Sequence, residues 1–190
     1  MAIPALEKFS LVGGTALSLQ YGHRTSIDLD LFCNEKFDNE KIIAELESSF
    51  GKEFNYAKTS SLFGIFCFIE KIKVDLVHYP HPIISTPVSI DDIRMYSCDD
   101  IAAMKIQAIL GRGKKKDFWD LAELFNHYSM DDIIQFHSNK YPSQQLLISI
   151  PYALTYFTDA EESDEPVSLK GQTWDEVKNI IQKKVSEYLR

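Results

Sequence analysis

Ile27-Asp28-Leu29-Asp30-Leu31-Phe32 alternates: Ile27, Leu29 and Leu31 are apolar, while Asp28 and Asp30 are acidic. That is the period of a half-buried strand. Residues i and i+2 of a strand project from one face with Cα atoms roughly 6–7 Å apart, so two carboxylates are held side by side. Like charges at that range raise each other's pKa, and a bound cation relieves the repulsion. Two divalent ions about 3.5–4 Å apart, bridged by shared carboxylates, suit the spacing, and an all-oxygen donor set selects Mg²⁺ or Mn²⁺. Alone, Asp-x-Asp on an alternating strand is more simply the solvated face of a sheet, because so short a pattern recurs by chance. Its neighbours in the chain give it meaning.

Upstream, residues 9–12 form a short apolar run that ends in Gly13-Gly14. A short helix follows over residues 15–21 and stops at Gly22. Paired glycines between a strand and a helix let the backbone approach a ligand closely, and the helix start offers free N–H groups to an anion. Thr15 adds a hydroxyl donor, so Gly13, Gly14 and Thr15 read as a phosphate-binding turn. No G-x-x-x-x-G-K-[ST] loop is present, and a tight turn that simply requires glycine is the plainer reading of the pair alone.

Downstream, residues 40–50 carry Ile42, Ile43, Leu46 and Phe50 at helical spacing, with Gly51 just past the end. Residues 54–58 and 62–70 read as a hairpin around Thr59-Ser60-Ser61. Residues 72–78 read as a further strand in which Asp75 is the acidic position among apolar neighbours. If that strand lies beside the Asp-x-Asp strand, Asp75 completes a cluster of three carboxylates. Pro80, Pro82 and Pro87 then mark a loop.

From Ser97 the pattern becomes helical. Ser97 and Asp100 resemble a capping box, and Ile101, Met104, Ile106, Ile109 and Leu110 follow at helical spacing. Further helices are predicted over 117–127, 131–139, 143–157 and 174–189, with an acidic, solvated loop over 159–165. Arg112, Lys114, Lys115 and Lys116 put four basic residues into five positions, and Lys105 precedes Arg112 by two helical turns. Both could project from one face roughly 10 Å apart, toward a triphosphate or RNA phosphates. A solvated basic loop and a simple Lys116–Asp120 i,i+4 pair are the plainer readings. Phe118, Trp119 and Phe125 have the spacing of core residues. The five histidines show no metal-ligand spacing and read as surface or loop residues. The fold class is α+β: a mixed-sheet palm flanked by helices over residues 1–96, followed by a helical domain over residues 97–190.

The bulk composition agrees. The 190 residues are 45% hydrophobic and 25% charged, with a formal net charge of −8 from 20 basic and 28 acidic residues. That is enough apolar content for one full core or for a domain with a small appendage. Such a chain does not coat nucleic acid by bulk attraction and would need a local basic patch to bind a polyanion. Cys33, Cys67 and Cys98 are scattered and odd in number, which points away from a disulfide framework or zinc site and toward buried thiols in a reducing compartment. No apolar run reaches the roughly 18 residues that a membrane span needs, and the first residues lack a signal-peptide pattern. A cytoplasmic location is expected, with no membrane partner.

Taken together, Leu11 to Leu17, His23 to Phe32, Val74-Asp75-Leu76-Val77, Asp100 to Lys105, Gly111 to Asp117 and Asp120-Leu121 resemble, in order, the motifs of the AbiEii/AbiGii toxin family of polymerase-β-like nucleotidyltransferases. The resemblance spans residues 11–121; the last third of the chain has no counterpart in it. It implies a nucleotidyltransferase palm followed by a helical domain, NTP and Mg²⁺ (or Mn²⁺) as requirements, and membership of a toxin–antitoxin or abortive-infection system with a cognate antitoxin. It also implies transfer of an NMP to a hydroxyl, with RNA or the acceptor end of tRNA as candidate acceptor. Carried over, Asp28, Asp30 and Asp75 are the metal ligands and catalytic carboxylates. Gly13, Gly14 and Thr15 form the phosphate turn, where many superfamily members have serine in place of Thr15. Lys105 and Asp120 join the catalytic set, Asp120 either orienting a lysine or acting as a base. Arg24, Ser26, Arg112 and Lys116 contact the nucleotide. Two alternatives stand beside this: a non-catalytic nucleotide- or partner-binding subunit on the same fold, and a phosphotransferase moving the terminal phosphoryl group.

Overall fold

The computed structural model describes residues 3–56 and 63–190. In chain order the elements are β1 (Ser10–Val12), α1 (Gly13–Tyr21), β2 (Leu29–Cys33), α2 (Asn39–Phe50), β3 (Phe54–Tyr56), β4 (Gly64–Ile69), β5 (Ile72–His78), β6 (Val88–Ile90) and β7 (Ile93–Met95). The helices α3 (Cys98–Gly111), α4 (Lys115–Leu124), α5 (Met130–Lys140), α6 (Ile150–Thr155), α7 (Thr158–Glu161) and α8 (Trp174–Tyr188) follow. The strands make one mixed sheet in the order β3-β4-β5-β2-β1-β7-β6. The α+β class expected from the sequence is the class observed.

Alternation along the strands divides the sheet into two unlike faces. Leu31 and Cys33 of β2, Val74 and Leu76 of β5, and Ile65 and Cys67 of β4 are all buried, in one cluster with Leu11, Ile42 and Leu46. Each fully buried aliphatic side chain of this kind contributes about 1.5–3 kcal/mol. The intervening residues Asp30, Asp75, Lys73, Phe66 and Phe68 take the opposite face. The helices carry local stop and start signals. Asp38 caps α2 by accepting from the Glu40 and Lys41 amides, and reciprocal capping boxes open α5 at Ser129/Asp132 and α8 at Thr173/Glu176. Such caps are worth about 1 kcal/mol each.

A buried ion pair ties the proline loop to the helices. Lys140 Nζ bonds Asp100 Oδ1 at 2.6 Å and the Pro82 carbonyl at 3.0 Å. Asp100 also accepts from the Ile84 and Ser85 amides and the Ser97 hydroxyl.

Several boundaries differ from the sequence expectation. The helix expected over 143–157 is confined to α6, because Pro151 lies in its first turn, the place in a helix where proline is tolerated, and Ser149 caps it. The strand expected from Ile27 begins at Leu29, and Ile27 is exposed. β6 and β7 were not expected. They are three residues each, joined through Asp91 and Asp92 at φ +48° and +61°, too short to show a period. His23 and His137 are buried rather than at the surface. The acidic loop over 159–165 opens within α7, and Cys98 is only partly buried. The turn expected at Thr59-Ser60-Ser61 lies outside the described residues, while the two arms that flank it, β3 and β4, pair antiparallel.

Candidate active site

The parallel pairing of β2 and β5 sets Asp30 directly opposite Asp75. Neighbouring strands lie about 4.7–4.9 Å apart, so the two carboxylates are neighbours on the face away from the core. Burial, and then the charge of Asp75, pushes the Asp30 carboxyl above its ordinary value. Asp75 Oδ1 is buried and has no hydrogen-bond partner among the described residues. Its Oδ2 is paired with Lys73, two residues earlier on the same strand face. Burial pulls Lys73 down, but the bond and charge of Asp75 and the charges of Asp30 and Asp28 outweigh it. An ammonium is thus paired with Asp75 and feels the charges of Asp30 and Asp28, the other two carboxylates that the sequence nominates as metal ligands.

Asp28, Asp30 and Asp75 do not stand as a ready-made cage: among the described residues, no three His, Cys, Asp or Glu side chains are gathered closely enough to hold an ion. Asp28 lies one residue before the β2 ladder, and its carbonyl accepts from Thr15 Oγ1, which also bonds Ser26 Oγ at 2.8 Å. An oxygen donor set with an unpaired carboxylate oxygen and an ammonium as stand-in cation nonetheless fits a hard divalent ion.

Both glycines of the turn are required, for different reasons. Gly13 opens α1 at φ +70°, and a Cβ there would lie 3.1 Å from Asp30 Oδ2, so the helix start abuts the carboxylate. At Gly14 a Cβ would lie 1.9 Å from Arg24 Nη2 and 3.2 Å from Asp120 Oδ2. The sequence suggested that the bare backbone admits a ligand; at Gly14 it admits a buried guanidinium. Gly14→Ala is therefore expected to cost about 1–3 kcal/mol through overpacking and to lower Tm by several degrees in a thermal melt. An unchanged Tm would show that Arg24 has room to move.

Beneath that turn runs a chain of buried charges. Asp120, 0% exposed, accepts at Oδ1 from Arg24 Nε (2.6 Å) and His23 Nε2 (2.7 Å), and at Oδ2 from Arg24 Nη2 (2.8 Å) and Lys105 Nζ (2.6 Å). Lys105 continues to Asp117 Oδ1 at 3.0 Å, and Asp117 takes the guanidinium of Arg112 at 3.0 and 3.1 Å. Burial pushes Asp120 up, but the charge of Lys105 and the bonds of His23 and Arg24 hold it far below the carboxylate range. Asp117 is lowered in the same way, with Lys105 and Arg112 overcoming burial. Lys105 is raised, since Asp120 and Asp117 outweigh its desolvation. Lys105 is buried and Arg112 exposed, and both donate to Asp117 Oδ1, at 3.0 and 3.1 Å.

Arg24, Ser26, Asp28, Arg112 and Lys116 line a single cleft of about 690 Å³, together with Lys114. Asp159, Glu162, Asp164 and Glu165 line the same cleft, and the Lys115 amide donates to Ser163 Oγ at 2.8 Å. Lys116 also acts on Asp30 through its charge. Thus the expected site residues fall into a carboxylate pair with the Gly13 turn beside it, a buried network from Arg24 to Arg112, and a cleft bordering both. The sequence reading assigned no part to His23, Asp117 or Lys73. Lys73 had a signal, two positions before Asp75; Asp117 lies three before Asp120 on one helix face; His23 had none.

A family model described as the nucleotidyl transferase AbiEii toxin of type IV toxin–antitoxin systems matches residues 2–166. The uncharacterized protein aq_aa25 of Aquifex aeolicus (strain VF5) is 33% identical over 188 residues, covering 95% of this chain and 88% of its own length. Two solved structures share the fold. MenT4, a nucleotidyltransferase toxin of Mycobacterium tuberculosis H37Rv, superposes with a TM-score of 0.57 at 14% identity, over 95% of this chain and 76% of that one. JHP933 of Helicobacter pylori superposes with a TM-score of 0.51 at 20% identity, over 97% and 88%. No helix among the described residues is long and apolar enough to cross a membrane. The chain belongs to the AbiEii nucleotidyl transferase toxin family and is a nucleotidyltransferase.

Proposed function

We propose that the chain transfers an NMP from an NTP to a hydroxyl of an RNA acceptor, in the cytoplasm, as the toxin of a pair whose antitoxin is a second protein. The observation that carries this reading is the in-register Asp30–Asp75 pair beside the Gly13 turn. In it, Asp28, Asp30 and Asp75 hold Mg²⁺ or Mn²⁺, which when bound neutralises the phosphates and favours the ionised acceptor hydroxyl. Gly13 and Thr15 offer the start of α1 to the triphosphate, while Arg112 and Lys116 bind it from the cleft. The acceptor oxygen forms a bond to the α-phosphorus, the bond to pyrophosphate breaks, and the hydroxyl proton passes to solvent. Asp120, with both oxygens already engaged, is a positioning residue: it fixes Lys105 and Arg24 beneath the turn. Residues 1–96 act as the palm, and residues 97–190 supply Lys105, Arg112, Lys116 and Asp120 from a helical domain.

The test is incubation with each labelled NTP, Mg²⁺ or Mn²⁺ and total RNA. Label in RNA with pyrophosphate released is expected. NDP release would point to terminal phosphoryl transfer, and NTP binding without turnover to a non-catalytic subunit.

A further inference from the structure

On the strand next to the carboxylates, two aromatic rings face solvent. β4 reads Gly64-Ile65-Phe66-Cys67-Phe68-Ile69; Ile65 and Cys67 are 4% and 3% exposed, whereas Phe66 and Phe68 are 46% and 51% exposed. The antiparallel pairing of β4 with β5 sets Phe66 opposite Asp75 and Phe68 opposite Lys73. With Asp30 opposite Asp75 and Val12 opposite Asp30, one row of cross-strand neighbours runs Phe66, Asp75, Asp30, Val12, and Gly13 follows Val12. The carboxylates therefore stand between an aromatic strand on one side and the phosphate turn on the other.

Solvent-exposed phenylalanines at alternate positions cost hydration free energy, and a patch kept in spite of that cost marks a contact surface. Its place identifies the guest. Cβ atoms of cross-strand partners are about 4.5–5.5 Å apart, so a molecule lying on Phe66 is within one residue's width of Asp75. The triphosphate-binding groups, Gly13, Thr15, Arg112 and Lys116, lie toward β1 and the helices, leaving the β4 side to the acceptor. Aromatic side chains on an open sheet face bind single-stranded RNA by stacking unpaired bases, and they accept any base because each presents a π-face.

We propose that Phe66 and Phe68 form a stacking platform for the unpaired terminal bases of the RNA acceptor, delivering its terminal hydroxyl to Asp75. The proposal rests on the reading of the acceptor as RNA. It commits the acceptor to a single-stranded end rather than a blunt duplex, and it assigns the β4 face to nucleic acid rather than to a protein partner.

The test uses the full chain and short oligoribonucleotides with 2-aminopurine near the 3′ end, single-stranded or paired to the terminus. Wild type is expected to quench the single-stranded probe on binding and to bind the fully paired one far more weakly. Phe66→Ala and Phe68→Ala should each weaken the single-stranded probe by about 5- to 150-fold. Both should keep the wild-type Tm and NTP affinity, since the rings are exposed and away from the turn. Phe66→Tyr should restore binding and quenching, and Phe66→Leu should restore neither. A Phe66→Leu variant equal to wild type would overturn stacking in favour of a simple apolar contact. Unchanged RNA labelling by the Phe66→Ala/Phe68→Ala variant would overturn the platform while leaving the RNA acceptor intact. So would loss of antitoxin neutralisation alone, which would give the face to the protein partner. Failure of wild type to label or bind any RNA, with NTP bound, would overturn the RNA acceptor itself, and the platform with it.

Discussion

Asp30→Asn is expected to stop nucleotidyl transfer while leaving the protein folded and no less stable. If Asp30 is one of the proposed metal ligands, its loss removes several kcal/mol of charge stabilisation in the transition state, and about 4 kcal/mol corresponds to a roughly 10³-fold fall in kcat. The stability half of the prediction follows from the same residue's surroundings. Burial, and then Asp75, opposes its ionisation and raises its folded-state pKa. A carboxyl whose folded pKa is raised binds more protons folded than unfolded between the two values. Stability is therefore lost as pH rises through that window, and the deficit persists at neutral pH. Asparagine removes the deficit. In metal-free protein the variant should melt at or above the wild-type Tm at neutral pH, and the two curves should converge as pH falls to the ordinary carboxylate range, about pH 4. Single-turnover labelling of RNA and melts across that range check both halves. Transfer at the wild-type rate would remove Asp30 from the catalytic set; a large loss of Tm would make it a structural residue.

How much of this site was legible in the sequence depends on which interaction defines each residue. Asp30 and Asp75 announced themselves because each interrupts an apolar strand, and their neighbourhood was a fair inference from two strands of one period. Their exact opposition was not legible, since the parallel register of β2 and β5 is set across some forty intervening residues. Asp28 shared the alternation of β2 but not its ladder, because the Thr15 hydroxyl takes its carbonyl just before the strand begins. Phe66 and Phe68 were hidden for the opposite reason. Every residue of Ile65 to Ile69 is apolar, so no polar partner marks the outward face, and the segment reads as a strand buried on both sides. The Lys105–Asp117–Arg112 junction forms between two helices, and periodicity within one helix carries no information about it. Gly14 was read as a place where a ligand approaches the bare backbone, but the group that approaches it is Arg24, which only the three-dimensional arrangement brings there.

The second large effect is expected at Asp120. Asp120→Ala leaves Arg24 beside a cavity with no counter-charge and Lys105 with Asp117 as its one carboxylate partner, and removing one partner of a buried pair costs about 3–5 kcal/mol. For a chain of this length each kcal/mol lowers Tm by about 2–4 °C, so a fall of about 6–20 °C is expected. The acid side supplies an independent check. Because the folded-state pKa of Asp120 is held far below the carboxylate range, its contribution is fully present above the unfolded value of about 3.9 and is lost as pH falls toward the folded one. Asp120→Asn should therefore melt lower than wild type at neutral pH and lose less stability on acidification. Lys105→Met/Asp120→Asn should cost less than the sum of its two single variants, because the residues share one interaction. Positioning and proton transfer separate in the pH–rate profile, measured well below each variant's Tm. A positioning residue lowers kcat and raises KM for NTP with the profile unchanged in shape, since Lys105 and Arg24 are no longer held under the turn. A base would take the acidic limb of the profile with it. Full activity in Asp120→Asn, at a temperature where it is folded, would reduce the buried network to scaffold and leave the chemistry to the carboxylates on the open face of the sheet.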